Sequence, residues 1–470
     1  MRTILIFIVG LLLSVAQATA ADRCSDEVFL RRAHLTITGA LPSPQQCEKF
    51  IDDQSPRKRE QLVTRLIQSE LGLKYMQMHW GDILRIKSEF PSNLWPNGVQ
   101  AYNRWIYEQL LANVPYDQMV RNLLLSEGSN FRAPAVNFYR GFQKRTSKNF
   151  YANINLLFLG DRNPVDNGNI CFSQVCFKST KEWKEEIIYL DYYKRVPRQA
   201  VVLKDGTMLT LKPQTDWREA YVNWLTAPTN RRFAEVMVNR MWYWVFGKGI
   251  VHEPDDWRDD NKPSDPDLLT ELTDYFISNN YNLRLLMKKI LLSEQFNAAA
   301  APEGSYVPQR LPAEVIVDAI ASSISNWTTY SSRVPEPFTF YPSGTRATHL
   351  GDATVSSTEL ELFGKVSRDV SLESQRNNAI SARQLLYLMN SSALEKRIRK
   401  SSALRRILES ATNVSQLANA ITLRVLSRRA TPEEVAMYKE YMQQHDLSLQ
   451  ELAYDLVWMQ INSNEFLYNH

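Results

Sequence analysis

Residues 231–257 read Arg-Arg-Phe-Ala-Glu-Val-Met-Val-Asn-Arg-Met-Trp-Tyr-Trp-Val-Phe-Gly-Lys-Gly-Ile-Val-His-Glu-Pro-Asp-Asp-Trp. The apolar positions recur at helical spacing through Phe246. Gly247-Lys248-Gly249 then supplies stop signals, and a proline-bounded acidic loop follows. The same 3.6-residue period governs most of the chain on either side. Downstream, helical patterning runs from Asp216-Trp217-Arg218-Glu219-Ala220 to the C-terminus. It is broken only by a Pro-, Ser- and Thr-rich stretch from Arg333 to Ser357, whose Phe338, Phe340 and Tyr341 predict an ordered loop packed on the body. Upstream, Asp26 to Ala33 opens a helix, Ser43-Pro44 and Ser55-Pro56 start two more, and Trp80, Ile83 and Leu84 belong to a fourth. After an irregular Pro91–Gly98 loop come Gln100–Asn113 and Tyr116–Ser126, separated at Pro115, and a further helix ends at Phe158-Leu159-Gly160.

Two stretches depart from this period. Asp161 to Lys178 fills with Asn, Gly and Asp and reads as a loop, whereas residues 199–212 alternate around Asp205-Gly206 and read as a β-hairpin. The expected fold is therefore mainly α: a multi-helical, two-lobed protein with a small hairpin between the lobes. The expected divisions are a signal peptide at 1–20, an N-terminal helical domain at 21–178, a connecting segment at 179–213 and a C-terminal helical domain at 214–470.

The signal peptide is read from Arg2, the apolar run Ile4 to Leu13, and small residues at Ala18 and Ala20 before a cut at Ala21. That run is shorter than a membrane span, and no later segment reaches the length of one, so a chain exported to the periplasm or medium is expected, with no integral membrane segment after cleavage. The 55 Lys and Arg nearly balance the 51 Asp and Glu. Arg57-Lys58-Arg59 and Arg397 to Arg406 lie within helical patterns and read as solvated faces, which argues against a nucleic-acid partner. Eleven Trp and 21 Tyr suit packing in a large helical body more than a ligand site. In an exported chain the four cysteines are expected to pair locally, Cys24 with Cys47 and Cys171 with Cys176.

The acidic loop is the densest charge feature. Glu253, Asp255, Asp256, Asp259, Asp260, Asp265 and Asp267 place seven carboxylates within fifteen residues, beside Trp257. Carboxylates next to an exposed tryptophan suit calcium or a glycan, but Asp265-Pro266-Asp267 also has the form of a helix start. Arg240 reads either as the partner of a loop carboxylate such as Asp256 or as a clamp on an anionic ligand, and the ion pair is favoured. His252 is the only histidine singled out as a candidate acid or base. The candidate ligand-binding set is Arg240, His252, Asp255, Asp256 and Trp257; no catalytic residue is assigned. No His-x-x-x-His or His-Glu-x-x-His pattern, Gly-x-Ser-x-Gly elbow or phosphate loop is present, so neither metal nor cofactor is expected.

Several segments resemble the paired domains of unknown function 1549 and 1553 found beside planctomycete-type cytochrome c modules. They are Phe29-Leu30-Arg31-Arg32-Ala33 with Leu35-Thr36-Ile37-Thr38-Gly39, Leu41-Pro42-Ser43-Pro44, Trp80-Gly81-Asp82 with Leu84-Arg85, and Pro115-Tyr116-Asp117-Gln118. In the second half they are Asn239-Arg240-Met241-Trp242, Phe246-Gly247-Lys248-Gly249, Pro254-Asp255-Asp256 and the terminal Asn462 to His470. Many relatives carry Cys-x-x-Cys-His after the Phe-Leu-Gly. Here Cys171-Phe172-Ser173-Gln174-Val175-Cys176-Phe177 has the wrong spacing and no histidine. Relatives also have Cys-Glu-Cys-Glu-Arg where this chain reads Leu372-Glu373-Ser374-Gln375-Arg376, and Ser-His-Pro where it has Ser264-Asp265-Pro266. The resemblance implies an exported, non-haem binding or assembly partner associated with secreted hydrolase-like or cytochrome-bearing proteins. A glycan-directed hydrolase using loop 252–267 and a periplasmic electron-transfer partner are the alternatives.

Overall fold

The structure is a computed structural model that describes residues 23–181, 184–301, 306–332, 334 and 340–470. The expected signal peptide, Arg333 and Phe338 lie outside the described residues. The fold is mainly α.

The N-terminal part contributes α1 (Asp26–Thr38), α2 (Pro44–Asp52), α3 (Lys58–Gln68), α4 (Glu70–Ile83), α5 (Pro96–Leu111), α6 (Tyr116–Leu124), the single turn α7 (Asn137–Arg140) and α8 (Ser147–Leu159). Their ends follow local chemistry. Ser43 and Gln46 close a capping box ahead of Pro44, and Gly160 ends α8 in the left-handed region at φ 65. The third helix begins at Lys58, with Arg57 as its N-cap, rather than at Ser55-Pro56.

The hairpin is present as β4 (Val201–Val202) paired with β5 (Met208–Leu209) around Asp205-Gly206, with Gly206 at φ 84. A second sheet precedes it: β3 (Glu186–Leu190) lies between β1 (Gly128–Ser129) and β2 (Val175–Ser179). Its β2 begins inside the stretch expected to be a loop. That stretch is filled with Asn, Gly and Asp up to the strand, and β2 is held by antiparallel pairing with the next strand, β3, so its own few residues carried little local signal.

Next come α9 (Arg218–Leu225), α10 (Arg231–Phe246), α11 (Pro266–Ser278), α12 (Leu283–Leu291) and α13 (Glu294–Asn297). The decisive stretch is α10. It buries Phe233, Ala234, Val236, Met237, Val238, Met241, Trp242 and Val245 and stops at Gly247, whose N–H donates to the Tyr243 carbonyl. These helices share one core with the N-terminal helices, built from residues between Cys24 and Tyr306 together with Leu423. The second core takes over at Leu311. It is formed by α14 (Ala313–Ile324), α15 (Thr358–Leu362), α16 (Ala382–Asn390), α17 (Ser392–Arg399), α18 (Ser402–Ser410), α19 (Val414–Val425), α20 (Pro432–Gln444), α21 (Leu449–Ile461) and the turn α22 (Asn464–Leu467), with Leu35, Tyr75 and Met78 reaching in from α1 and α4.

Buried arginines tie the chain ends together. Arg31 donates to the carbonyls of Val425, Glu465 and Phe466, and Arg32 donates to those of His470, Phe296 and Ala298. Thus the opening Phe-Leu-Arg-Arg-Ala segment holds the terminal Asn462–His470 segment. The 57–59 cluster also differs from a solvated face: Arg59 is buried, bonded to Asp26, the Cys24 carbonyl and Asn297. In the long loop, Tyr341 is half-buried against the second core, but Phe340 is 80 % exposed.

All four cysteines are free thiols, which corrects the two disulfides expected from spacing. Cys24 is fixed by its N–H to the Asn297 carbonyl and has the Arg59 guanidinium 3.7 Å from its sulfur, while Cys47 points from α2 to the Leu423 carbonyl. Cys171 is buried in a 3-10 turn at 168–172, and Cys176 sits on β2 opposite Tyr189. Helix, turn and strand thus aim the members of each local pair at different neighbours. Burial pushes the Cys47 and Cys171 thiols up to about 12.

Candidate functional site

The acidic loop folds back onto the helix that precedes it. Asn239 clamps the exit of α10 by bonding both the N–H and the carbonyl of Val251, at 2.8 and 2.9 Å. The chain then presents Asp255 to Arg240, Nη2 to Oδ1 3.3 Å, with the two side chains 2 % and 1 % exposed. Arg240 also donates to the Leu157 carbonyl at 3.0 Å, and its Nε lies 3.3 Å from Glu373 Oε1. The ion pair is therefore made, but with Asp255 and not with Asp256. Asp256 turns the other way, to Arg258 at 2.9 Å, and its carbonyl accepts from Asn261. The two aspartates sit in a tight turn closed by the Asp256 N–H to the Glu253 carbonyl at 3.1 Å, which sends their side chains to different partners.

The remaining candidates do not join Arg240 in an open pocket. His252 is exposed and lies 3.5 Å from Glu253. Trp257 packs across Gly160, donating from Nε1 to the Pro254 carbonyl, with the Arg232 guanidinium 4.7 Å from its ring centre. A Cβ on Gly160 would stand 2.1 Å from Trp257 Cδ1, so this glycine is required by the close approach as well as by its φ. Asp265 caps α11 by accepting from the Leu268 N–H, with Pro266 in the first turn, as expected of a helix start. Glu253, Asp259, Asp260 and Asp267 are solvent-exposed.

Residues that sequence reasoning did not select as a site complete the buried centre. Glu373 accepts from Trp244 Nε1 at 2.9 Å, and its own backbone N–H donates to Asp255 Oδ2 at 2.6 Å. Nearby, Asp82 accepts from Arg368 at 2.8 Å and Arg376 at 2.7 Å, and Arg376 also binds Glu314 at 2.7 Å. The Trp-Gly-Asp segment has a steric reason for its glycine: a Cβ on Gly81 would press to 3.0 Å on the Arg368 guanidinium. Four separate signature segments, around Asp82, Arg240, Asp255 and Glu373–Arg376, thus converge where the two cores meet. Their family resemblance was the only available signal, because nothing in their spacing predicts the meeting.

The electrostatics follow from sharing. Two carboxylates, Asp255 and Glu373, face one guanidinium; burial raises the Glu373 carboxyl, Arg240 pulls it back, and the Asp255 charge raises it further. At Asp82 and Glu314 burial also works to raise the carboxyl, but Arg376 overcomes it and holds both below the usual carboxylate range.

Beside this centre lies a cleft enclosing ≈ 40 Å³, lined by residues of α1, α3, α4 and α12, the segment 110–114, and Trp244. His79 stacks on Trp244 at its floor, ring centroids 4.8 Å apart. Among the described residues, no group of three or more His, Cys, Asp or Glu has the arrangement of a metal site. No helix among them is long and apolar enough to cross a membrane.

Residues 8–160 match the family described as a protein of unknown function (DUF1549), and residues 217–442 match the one described as a protein of unknown function (DUF1553). The chain belongs to the planctomycete cytochrome c-associated family that pairs these two domains. Both domains contribute to the buried centre, Asp82 from the first, and Arg240, Asp255, Glu314 and Glu373 from the second. No characterised protein and no solved structure gives a significant match.

Proposed function

We propose that the protein is an exported, non-haem binding or assembly partner in the bacterial envelope. The observation that carries this reading is how the relatives' Cys-Glu-Cys-Glu-Arg segment survives here. The positions of its two cysteines are Leu372 and Ser374, whereas Glu373 and Arg376 remain and are consumed in the ion pairs that join the cores. The ligand half of the motif has gone and the scaffold half has been kept, which suits a protein that works by holding its shape. The absent Cys-x-x-Cys-His supports the same reading, since covalent haem attachment needs both thiols and the axial histidine. The hydrolase alternative needs two carboxylates flanking one bond. Asp255 and Asp256 diverge, one to the enclosed Arg240 and the other to the exposed Arg258.

The test is in-cell cross-linking of a tagged chain at native expression, followed by fractionation of the envelope and mass spectrometry. The expected result is a mature chain beginning near Ala21, without a haem band after denaturation, recovered in constant ratio with one hydrolase-like or cytochrome-bearing exported protein. A chain that stays in the cytoplasm, or that runs free of any cross-linked partner and releases reducing sugar from envelope glycan, would overturn the reading.

A further inference from the structure

Two cations without a paired counter-charge meet near a histidine where the N-terminal helices touch the second core. Lys74, on α4, lies over the Tyr107 ring of α5 with Nζ 4.3 Å from its centre, and Arg346 lies over the ring of Trp327, which follows α14, at 4.9 Å. Both are half-buried, and neither makes a hydrogen bond or an ion pair among the described residues. Both charges act on His349, whose backbone N–H donates to the Arg346 carbonyl at 3.1 Å and closes the turn that carries the two side chains. The His349 ring makes no hydrogen bond, and its Nε2 is buried without a partner. Burial, and then the Arg346 and Lys74 charges, depress it to about 4, so at neutral pH an uncharged ring sits in the field of two cations. Helix α5 adds a third unpartnered donor: the Asn103 side chain lies so near this loop that a Cβ on Gly351 would stand 2.3 Å from its Nδ2.

The acids in the neighbourhood are engaged or turned away. Asp318, on α14, is 1 % exposed and accepts from the Ala347 N–H, the Thr348 N–H and the Thr348 hydroxyl at 2.7, 3.1 and 2.7 Å, which fixes the turn. Its charge is felt by Arg346 but does not reach ion-pair distance. Glu70 and Glu108 are exposed and form no ion pair with Lys74. Water hydrates each cation yet leaves their mutual repulsion in place. An oxyanion removes that repulsion, and its several acceptor atoms match the donors of Lys74, Arg346 and Asn103.

We propose that Lys74, Arg346 and Asn103 form a binding site for a tetrahedral oxyanion, phosphate or a phosphate monoester, with the Tyr107 and Trp327 rings holding the two cations in place. The site uses none of the residues of the buried Arg240 centre and is independent of any protein partner.

The test is titration of the purified full chain with inorganic phosphate, at an ionic strength fixed with sodium chloride, followed by calorimetry and by NMR of the histidine rings. Saturable binding is expected, with a Kd of about 1 mM or tighter. The His349 pKa should rise from about 4 on binding, because the anion cancels part of the field that depresses it, and the His349→Gln protein assigns that signal. Lys74→Gln and Arg346→Gln should each weaken phosphate about tenfold, since each removes one charge-assisted contact. Lys396→Gln, at an exposed position on α17, should leave binding unchanged. Phenyl phosphate distinguishes the sources: tighter binding than inorganic phosphate assigns an ester, and equal or weaker binding the inorganic ion. The proposal fails if phosphate does not saturate, if the His349 pKa does not move, if either the Lys74→Gln or the Arg346→Gln protein binds as tightly as the parent, or if Lys396→Gln weakens binding as much as they do.

Discussion

Replacing Arg240 by methionine separates the two aspartates that stand side by side after Pro254. The guanidinium is 2 % exposed and answers three acceptors: Asp255, Glu373 and the Leu157 carbonyl. In the Arg240→Met protein two buried carboxylates would face each other across an uncharged side chain. Breaking a buried pair from one side costs about 3–5 kcal/mol, because the surviving charge remains desolvated. Asp256→Asn removes a carboxylate whose side chain is 13 % exposed but whose partner, Arg258, is 67 % exposed; a pair open to water on one side is screened, so its loss should cost less than that of the enclosed Arg240 pair. The assay is urea unfolding followed by tryptophan emission and far-UV circular dichroism, with both variants measured beside the parent. Adding Glu373→Gln to Arg240→Met removes one of the stranded carboxylates and should recover part of the loss. Coupling between groups in one network is typically about 0.5–3 kcal/mol. The reasoning fails if Arg240→Met costs under about 1 kcal/mol, or if Asp256→Asn costs as much as Arg240→Met.

Other outcomes are as definite. Burial depresses His34 to about 3 against an ordinary value near 6.5, so in that interval the unfolded chain binds the extra proton and stability falls as pH drops from 6.5. Relative to the parent, His34→Leu should therefore gain roughly 3 kcal/mol between pH 8 and pH 4 in urea melts, and a gap that stays constant with pH would refute the assignment. Non-reducing peptide mapping should find four free thiols, with half-buried Cys176 alkylated before Cys24, Cys47 and Cys171; a 24–47 or 171–176 linked peptide would restore the local pairing. Gly160→Ala would impose a side chain on a left-handed residue and push Trp257 aside, at a cost of about 1–3 kcal/mol; a melt unchanged from the parent would show that the Trp257 contact is dispensable.

The mainly α class, the start of α2 at Ser43-Pro44, the end of α10 at Gly247 and the Asp205-Gly206 hairpin were all legible in the chain. Each depends on interactions a few residues long: a hydroxyl capping the third amide on, a left-handed glycine, an apolar stripe every 3.6 residues. Strand β2 was not legible, since its hydrogen bonds go to β3. Nor were the free cysteines, whose thiols are aimed by the elements that carry them. The buried centre is the clearest division. The sequence alone determined that Arg240, on the buried face of a helix, needed an anionic partner. Only the tertiary structure decided that the partners are Asp255, close by in the chain, and Glu373, from the segment between α15 and α16. Charge pairing acts through space at about 3 Å, and chain distance says nothing about which carboxylate the packed helices bring to that range.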